Sequence, residues 1–329
     1  MLYIVTGAAG HLGSVLIRQL AAARRQVRGL ILPGQRPLFE APGVAYYQGD
    51  VTEAASLGPL FEGAEGAWVI HAAGLISISQ GITPQMEKVN VKGVQTIVNL
   101  CLAHGAARLV YVSSVHALPE GRRGTVIREQ AAFSPDAVVG GYAKTKAMAS
   151  QLVMDAVAGG LNAVLVHPSG IIGPFDDGAN HLVQLLRSYW EGKLPAGVRG
   201  GYDFADVRDV ARGCLAAAAQ GRRGEGYILS GRYATIGELM ADVRLVAPVR
   251  PVPLLPVALA RLAAPFVEGR ARRAGKRPLF TRYSLHTLRC NSLFSHEKAE
   301  GELGYVPRDL KATVADTIFW LQGKAVSAL

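Results

Sequence analysis

A tyrosine, a lysine and a pair of serines in this chain have types and spacing suited to acid–base chemistry. Tyr142 and Lys146 are four residues apart in a segment predicted to begin a helix, so they share one face, whereas Lys144 points elsewhere. Ser113 and Ser114 close a predicted strand, and ligands of open α/β sheets bind at the carboxyl edge where strands end. The pattern therefore indicates a reaction site at that edge.

The chemistry of this group depends on the pKa of the tyrosine. A free phenol has a pKa of about 10, so proton exchange near neutral pH requires lowering it by roughly 3 units, or about 4 kcal/mol. An ammonium ~4 Å away supplies energy of that order at an effective dielectric constant of about 20. We predict that Lys146 lowers the pKa of Tyr142, and that Ser114 donates a hydrogen bond that polarises a substrate oxygen.

A glycine-rich segment near the start of the chain predicts a phosphate-binding turn. It reads TGAAGHLG from Thr6 to Gly13 and lies between a predicted strand, Leu2–Thr6, and a predicted helix, Ser14–Ala23. Glycines there let the backbone approach a pyrophosphate, and the helix N-terminus supplies N–H donors and a partial positive charge. A glycine-rich turn without a ligand is the alternative interpretation.

Strand and helix signals alternate through the first half of the chain and stop after Pro168. This rhythm predicts an α/β fold with a Rossmann-type, doubly wound parallel sheet and a smaller C-terminal substrate-binding domain. We assign residues 1–168 to the dinucleotide-binding domain, with 205–230 returning to it, and residues 169–204 and 231–329 to the smaller domain. Further strands are predicted at Val27–Leu32, Val44–Gln48, Ala67–Ala72, Leu109–Ser113, Ala163–His167 and Tyr227–Leu229, and helices near Glu53–Phe61, Gln85–His104, Tyr142–Ala158 and Thr313–Leu321.

A series of motifs in a fixed order resembles one known family. The motifs are TGAAGHLG, GDV (49–51), HAAG (71–74), VNVKG (89–93), YVSS (111–114), YAKTK (142–146), HPSGIIGP (167–174) and DFADVRDVA (203–211). Together they resemble the extended, epimerase/dehydratase-like short-chain dehydrogenases/reductases. Within that family the chain looks most similar to bacterial relatives of dihydroflavonol reductase and hydroxysteroid dehydrogenase.

The resemblance implies roles for individual residues. It implies that Ser114, Tyr142 and Lys146 are the catalytic residues of an NAD(P)-dependent enzyme, and that Asn90 is a structural or proton-relay group; a buried, hydrogen-bonded Asn90 is the alternative. Cofactor contacts are expected at Gly7, Ala9, Gly10, His11, Leu12, Gly13, Ile31, Arg36, Asp50, Val51, Ala72, Ala73, Gly74, Ser113, Tyr142, Lys146, Pro168, Ser169, Gly170 and Ile171.

The choice between NAD and NADP depends on the end of the second strand. Ile31 stands where an NAD enzyme of the resembling family would usually offer Asp, whose carboxylate would repel a 2′-phosphate. Leu32 supplies no cation there, although Arg36 on the next loop could meet the phosphate or remain a solvated charge. Asp50 could accept a hydrogen bond from adenine or cap a helix. These residues favour NADP slightly and leave NAD open.

Three functions are compatible with these motifs. In the resembling family, nucleotide-sugar dehydratases have an acidic pair just after the serine, and epimerases often have Asn after the strand that here ends at His167. This chain has neither feature after Ser114 or after His167, which favours hydride transfer between nicotinamide and a ketone or secondary alcohol. A nucleotide-sugar epimerase or related isomerase, and a non-catalytic NAD(P)-binding regulator, are the alternatives. We expect Ile76, His116 and Phe175 to contact a small, largely apolar substrate, although all three could serve packing or loop structure.

Composition excludes several other classes of protein. The 329 residues carry a net charge of +10 but no nucleic-acid-binding motif, and the three cysteines form neither a disulfide framework nor a zinc motif, so we predict no metal site. The cysteine content favours a cytoplasmic protein, and the resemblance implies a homodimer paired through the helices near Gln85–His104 and Tyr142–Ala158. The basic segment containing Arg270, Arg272, Arg273, Lys276 and Arg277 could rest on a membrane, but we predict no stable association.

Overall fold

A seven-stranded parallel sheet forms the centre of the molecule. The structure is a computed structural model that describes residues 1–77, 81–176, 178, 180–262 and 282–326. Its strands are β1 (Leu2–Thr6), β2 (Gln26–Ile31), β3 (Val44–Gln48), β4 (Trp68–His71), β5 (Arg108–Val112), β6 (Ala163–Pro168), β7 (Gly170–Ile172), β8 (Gly197–Val198), β9 (Gly201–Asp206), β10 (Gly226–Leu229), β11 (Arg232–Thr235) and β12 (Leu254–Leu255). The central sheet has the order β10-β6-β5-β4-β1-β2-β3, so the predicted Rossmann-type α/β fold is confirmed.

Helices cover both faces of this sheet. They are α1 (His11–Ala22), α2 (Gly58–Phe61), α3 (Pro84–Glu87), α4 (Gly93–Ala103), α5 (Gly141–Ala158), α6 (His181–Trp190), α7 (Val207–Gln220) and α8 (Ile236–Val246), followed by helices Arg282–Thr287, Glu297–Leu303 and Leu310–Leu321. Successive strand residues point to opposite faces. Ile4 therefore packs in the cluster that includes α4 and α5, whereas Tyr3 and Val5 pack in the cluster that includes α1 and α7.

A second, three-stranded sheet packs beside the first. It has the order β11-β9-β7 and shares a third apolar cluster with α6, α8 and helix Leu310–Leu321; we call this assembly the small lobe. Arg208, which is fully buried at the start of α7, pairs with Asp206 and Asp316 at 2.7 Å each and so fastens the last of those helices. A buried cation held by two carboxylates fixes the geometry where the two sheets meet.

The observed elements differ from the predicted ones at identifiable residues. The predicted helix near Gln85–His104 is broken into α3, a π-helical turn at Lys88–Lys92, and α4. The predicted helix near Glu53–Phe61 becomes a 3₁₀ turn, Ala54–Leu57, followed by α2, because Pro59 can occupy only the first turn of an α-helix. Thr235 and Glu238 form a capping box at the start of α8.

The structure bears on a membrane span but not on the basic segment. Among the described residues, no helix has both the length and the apolar composition that a membrane span requires. The basic segment from Arg270 to Arg277 lies outside the described residues.

Candidate active site

Three elements bring the predicted catalytic residues together at the carboxyl edge of the sheet. β5 ends at Val112, and Ser114 begins a 3₁₀ turn, Val115–Ala117, by accepting a hydrogen bond from the His116 amide at 3.2 Å. α5 then begins at Gly141, where a side chain could not fit, because a Cβ there would lie 2.1 Å from the Gly81 carbonyl oxygen. The close packing of that loop fixes the position of the first turn of α5.

The Tyr142 phenol hydrogen-bonds to the Ser114 side chain. Tyr142 is 8% exposed, and burial raises its pKa to about 12, although the Ser114 hydrogen bond acts in the opposite direction. The predicted lowering of this pKa by Lys146 is therefore not what the structure shows: desolvation of the phenolate outweighs the other influences on it. The phenol is protonated at neutral pH, which is the state required of a proton donor.

The Lys146 ammonium lies under the same site. Its Nζ donates to the Val112 carbonyl oxygen at 2.8 Å and lies 3.5 Å from the Tyr111 hydroxyl. Burial lowers its pKa to about 7, so its charge changes near neutral pH. A Cβ on Gly74 would lie 3.5 Å from Nζ, which shows that the lysine reaches toward the loop after β4.

Asn90 connects that loop to α5. It lies in the π-helical turn, accepts a hydrogen bond from the Leu75 amide at 2.7 Å, and donates to the Leu75 carbonyl oxygen at 3.0 Å and to the Thr145 hydroxyl at 3.1 Å. The amide is 1% exposed and its hydrogen bonds are satisfied by the protein. The structure therefore supports the hydrogen-bonded, structural interpretation of Asn90.

Two buried histidines near Lys146 were not singled out from the sequence. His71, at the end of β4, hydrogen-bonds Thr6 at 2.7 Å and stacks on Tyr111, while His167, near the end of β6, contacts the Ser114 carbonyl oxygen at 3.3 Å. Burial lowers their pKa values to about 3 and about 4, with Lys146 contributing in both cases. Both are neutral at physiological pH, so neither adds a positive charge beside the lysine.

Ser113 turns away from this group. Its hydroxyl exchanges a hydrogen bond of 2.7 Å with Ser150 in α5, and its amide donates to the Val166 carbonyl oxygen at 2.8 Å. Ser113 therefore links β5, β6 and α5, which holds Ser114 in place.

The glycine loop has the shape needed for a dinucleotide. Gly7 has φ of +68° and approaches Ala73 so closely that a Cβ would lie 2.9 Å from its backbone. A Cβ on Gly13 would lie 2.1 Å from the Gly7 carbonyl oxygen. Gly10 caps α1 without a side-chain hydrogen bond, and no acidic residue occupies the first turn, so the helix N-terminus keeps its N–H donors and positive potential for an anion.

Other residues of this loop have structural partners. His11 Nε2 contacts the Pro174 carbonyl oxygen at 2.8 Å and its Nδ1 contacts the Asn180 side chain at 3.0 Å, which connects the glycine loop to the segment before α6. Leu12 is buried, whereas Ala9 and Ala72 are half-buried and Gly74 is exposed at the same edge. This edge can therefore present backbone atoms to a cofactor.

Several predicted cofactor residues are placed for packing rather than contact. Ile31 and Val51 are each 5% exposed and belong to the apolar clusters on opposite faces of the sheet. The Asp50 carboxylate accepts a hydrogen bond from the Thr52 amide at 2.8 Å, which closes its own turn. Residues 32–36, which follow β2 and include Leu32 and Arg36, are exposed. Their side chains are accessible to an adenosine ribose, whereas the side chain of Ile31 is buried.

The segment after β6 leads directly into the small lobe. Pro168 ends β6, Ser169 is buried between the two sheets, and Gly170 and Ile171 belong to β7. A Cβ on Gly170 would lie 2.8 Å from the Asp203 carbonyl oxygen, so a glycine is required where the two sheets meet. The cofactor contacts predicted from Pro168 to Ile171 therefore lie where the chain passes from the central sheet to the small lobe.

An aromatic cluster adjoins Tyr142. The His116 ring meets the Tyr142 ring edge-on at 6.0 Å and stacks on Tyr202 at 5.5 Å, with its Nε2 3.0 Å from the Tyr202 hydroxyl. Phe294 packs edge-on against Tyr202. Tyr202 and Phe294 lie far from His116 in the sequence. No local spacing connects them with Tyr142, so the sequence did not predict them. The adjoining pocket is lined by the apolar side chains of Val115, Leu118, Ile127, Val138, Ala143 and Phe294 and by the polar residues Glu120, Thr287, Cys290 and Asn291.

The other two predicted substrate residues do not share this position. Phe175 is 9% exposed, with its ring between Trp320 at 5.0 Å and the Arg18 guanidinium at 4.8 Å. Its φ of +70° is unusual for a bulky residue and is held by this packing. Ile76 is 63% exposed and follows Leu75 on the loop fixed by Asn90. Phe175 is thus a packing residue, whereas Ile76 can meet a ligand.

Comparisons with known proteins agree with this geometry. Residues 3–230 match the model of the NAD dependent epimerase/dehydratase family. The chain is 30% identical to sterol demethylase protein B of Methylococcus capsulatus over 99% of this chain and all of that protein. It is 29% identical to a putative dihydroflavonol 4-reductase of Synechocystis over 97% of this chain and 94% of that one. The solved structure of gox2253 superposes with a TM-score of 0.81 at 31% identity, covering 98% of both chains. With the glycine loop, the parallel sheet and the Ser114–Tyr142–Lys146 arrangement in place, the chain belongs to the NAD dependent epimerase/dehydratase family, as an oxidoreductase of the extended short-chain type.

Proposed function

We propose that this protein transfers hydride between a nicotinamide cofactor and a ketone or secondary alcohol of a small, largely apolar substrate. The observation that carries this proposal is the hydrogen-bonded pair of Tyr142 and Ser114 beside an aromatic and apolar pocket. A protonated phenol and a neighbouring serine hydroxyl can both donate to one carbonyl oxygen, and reduction requires donors of this kind.

Each residue of the site has a distinct task in this proposal. A bound nicotinamide cofactor would supply or accept the hydride. Ser114 orients the substrate oxygen, Tyr142 delivers its proton to that oxygen in reduction, and Lys146 holds positive charge below them. In the oxidative direction Tyr142 would have to be deprotonated before it could accept a proton from the alcohol, and burial makes the phenolate scarce at neutral pH.

The pocket and the relatives both support an apolar substrate. The wall beside His116 and Tyr202 is largely aliphatic and aromatic, so a substrate gains affinity there mainly by burying apolar surface. The names of the two relatives refer to a sterol and to a dihydroflavonol, which are ring compounds with oxygen substituents. We propose a cyclic ketone of this general kind as the substrate class.

A substrate panel tests the proposal against its alternatives. Purified protein would be assayed with NADPH and NADH against 3-ketosteroids, dihydroflavonols and aliphatic ketones, in parallel with binding of uridine and thymidine diphosphate sugars. Ketone-dependent oxidation of the reduced cofactor is expected. Tight nucleotide-sugar binding without ketone turnover would instead identify an epimerase, and cofactor binding without any turnover would identify a regulator.

We also propose a slight preference for NADP, which depends on Arg36. Arg36→Ala is expected to weaken NADPH binding by up to about fivefold, since an exposed charge contact contributes at most about 1 kcal/mol, and to leave NADH binding unchanged. Fluorescence titration of both cofactors measures this, with Arg25→Ala, an exposed arginine just before β2, as the matched control. Equal losses for NADPH and NADH would show that Arg36 does not contact the 2′-phosphate.

The proposed homodimer would use the groove between α4 and α5. Val94, Ile97, Val98 and Val153 are buried in the chain's own core, whereas Leu102 is 51% exposed and Leu152 is half-buried beside this groove. Leu102→Glu is expected to convert a dimer to a monomer in light scattering at micromolar concentration, because it places a charge in a desolvated contact.

The control for this experiment is Leu245→Glu on α8, where the side chain is 72% exposed on another surface. It is expected to leave the oligomeric state unchanged. A monomeric native protein, or equal dissociation by both substitutions, would count against this interface.

A further inference from the structure

Three side chains outside the reaction site converge in a way that the proposed reaction does not use. Glu120, His286 and Cys290 each offer one ligand atom, and these atoms all lie within 4.8 Å of one another. The His286 Nε2 lies 3.0 Å from the Glu120 carboxylate oxygen. A thiol, an imidazole and a carboxylate at such distances form a donor set that needs only a small contraction to surround one ion, since zinc–ligand bonds are about 2.0–2.3 Å long.

Independent contacts hold the two parts of this group in register. His286 lies in the last turn of helix Arg282–Thr287, and the Cys290 amide, three residues beyond the helix, donates to the His286 carbonyl oxygen at 3.2 Å. This further turn brings the two side chains together. The side-chain amide of Asn291 donates to the Glu120 carbonyl oxygen at 3.1 Å and to the Thr125 carbonyl oxygen at 2.6 Å. The group is therefore positioned by hydrogen bonds that do not involve its own ligand atoms.

A second set of backbone bonds strengthens this connection. The Ile127 amide donates to the Leu293 carbonyl oxygen at 2.8 Å, and the Ser295 amide donates to the Ile127 carbonyl oxygen at 3.0 Å. The loop that carries Glu120 and the segment that follows Cys290 are thus joined by backbone as well as side-chain hydrogen bonds. Such pre-organisation reduces the entropy lost when an ion is bound.

An ordinary ion pair does not account for the whole arrangement. The side chains of His286 and Glu120 are 34% and 38% exposed, and ion pairs at such exposure stabilise a protein little. Cys290 adds a soft ligand to the same point, with its thiol donating to the His286 carbonyl oxygen at 3.1 Å. Soft thiolate together with imidazole selects zinc-like ions over Mg²⁺ and Ca²⁺, which prefer all-oxygen sites.

We propose that Glu120, His286 and Cys290 bind one zinc-like divalent cation. On binding, the Cys290 thiol loses its proton to solvent, and the ion replaces the proton that His286 Nε2 shares with Glu120. Three protein ligands leave the fourth tetrahedral position to water. The ion would connect the loop that begins at Ser114 to helix Arg282–Thr287.

The sequence did not predict this site because its ligands are split between distant segments. Glu120 lies 166 residues before His286, and the four-residue spacing of His286 and Cys290 was the available local signal. The expectation of no metal site rested on the absence of a zinc motif among the three cysteines. Glu120 and Cys290 also line the pocket beside His116, so two of the three ligands form part of the wall of the proposed substrate pocket.

Cobalt is the probe that tests this proposal on the full chain. Untagged, reduced protein would be titrated with Co²⁺ and followed by absorption, then challenged with Zn²⁺. We expect one Co²⁺ per chain with a thiolate-to-cobalt charge-transfer band, which Zn²⁺ abolishes. Cys290→Ser should remove the band although the buried Cys101 and Cys214 remain.

Two matched variants complete the experiment. Glu120→Gln should weaken Co²⁺ affinity by at least about tenfold, the lower end of the loss seen when even an indirect metal partner is removed. Glu297→Gln, which alters an exposed carboxylate paired with Arg128, should leave affinity unchanged. Absence of stoichiometric binding to the native protein, a band that persists in Cys290→Ser, or equal affinity in Glu120→Gln would each overturn the proposal.

Discussion

Replacing Tyr142 with phenylalanine is expected to lower turnover by at least about 100-fold, the lower end of what a positioned acid–base group contributes. The substitution removes the phenol that hydrogen-bonds Ser114 but keeps the ring that packs against His116. Cofactor affinity should largely survive, because the glycine loop is untouched. Steady-state rates on a ketone from the panel, together with cofactor titration, measure the two effects separately.

The control for this variant is an exposed tyrosine of the small lobe. Tyr233 lies on β11 and is 42% exposed, so Tyr233→Phe removes a hydroxyl without touching Tyr142 or Ser114. It is expected to keep native turnover. Full activity in Tyr142→Phe on a true substrate would show that another group donates the proton.

Replacing Lys146 with methionine is expected to lower both turnover and cofactor affinity. Methionine retains most of the volume of the buried chain, so the change removes the ammonium that donates to Val112 and reaches toward Gly74. We expect a turnover loss of about 100-fold or more, since the site loses its positive charge beside the reacting oxygen. Kinetic assays and fluorescence titration of the cofactor measure the two losses.

Lys144 provides the matched control for this experiment. It is two residues from Tyr142 on α5, faces another direction, and is half-buried, so Lys144→Met should have a mild effect on both quantities. Thermal unfolding of both variants separates loss of function from loss of fold. Equal damage by the two substitutions would contradict the assignment of Lys146.

The pKa of Tyr142 shows which features of the site the sequence could predict and which it could not. The four-residue spacing of Tyr142 and Lys146 was sufficient to place them on one helical face near Ser114, because helix geometry is local. The direction of the Tyr142 pKa shift was wrong, because burial depends on the loop Gly81–Ile82 and on His116, which are remote in sequence. Local spacing thus predicts which residues meet, whereas tertiary packing decides their protonation.

Burial explains the other differences. The alternation of strand and helix signals predicted the sheet, but the side chains of Ile31 and Val51 are buried against it, whereas Arg36 on the loop after β2 is exposed. Phe175 was expected to contact the substrate, with packing as the alternative, and its ring packs against Trp320 from the far end of the chain. Contacts with such distant partners have no local signature.

The short connection between β6 and β7 affects how the chain folds while it is being synthesised. β6 ends at Pro168 and β7 begins at Gly170, while β10, which pairs with the free side of β6, follows only after β9 and α7. During translation, the emerging β6 therefore has an unpaired edge until some 60 further residues have left the ribosome. Unpaired edges of this kind attract other chains. The growing polypeptide thus passes through a stage at which prompt completion, or protection by a chaperone, decides between folding and aggregation.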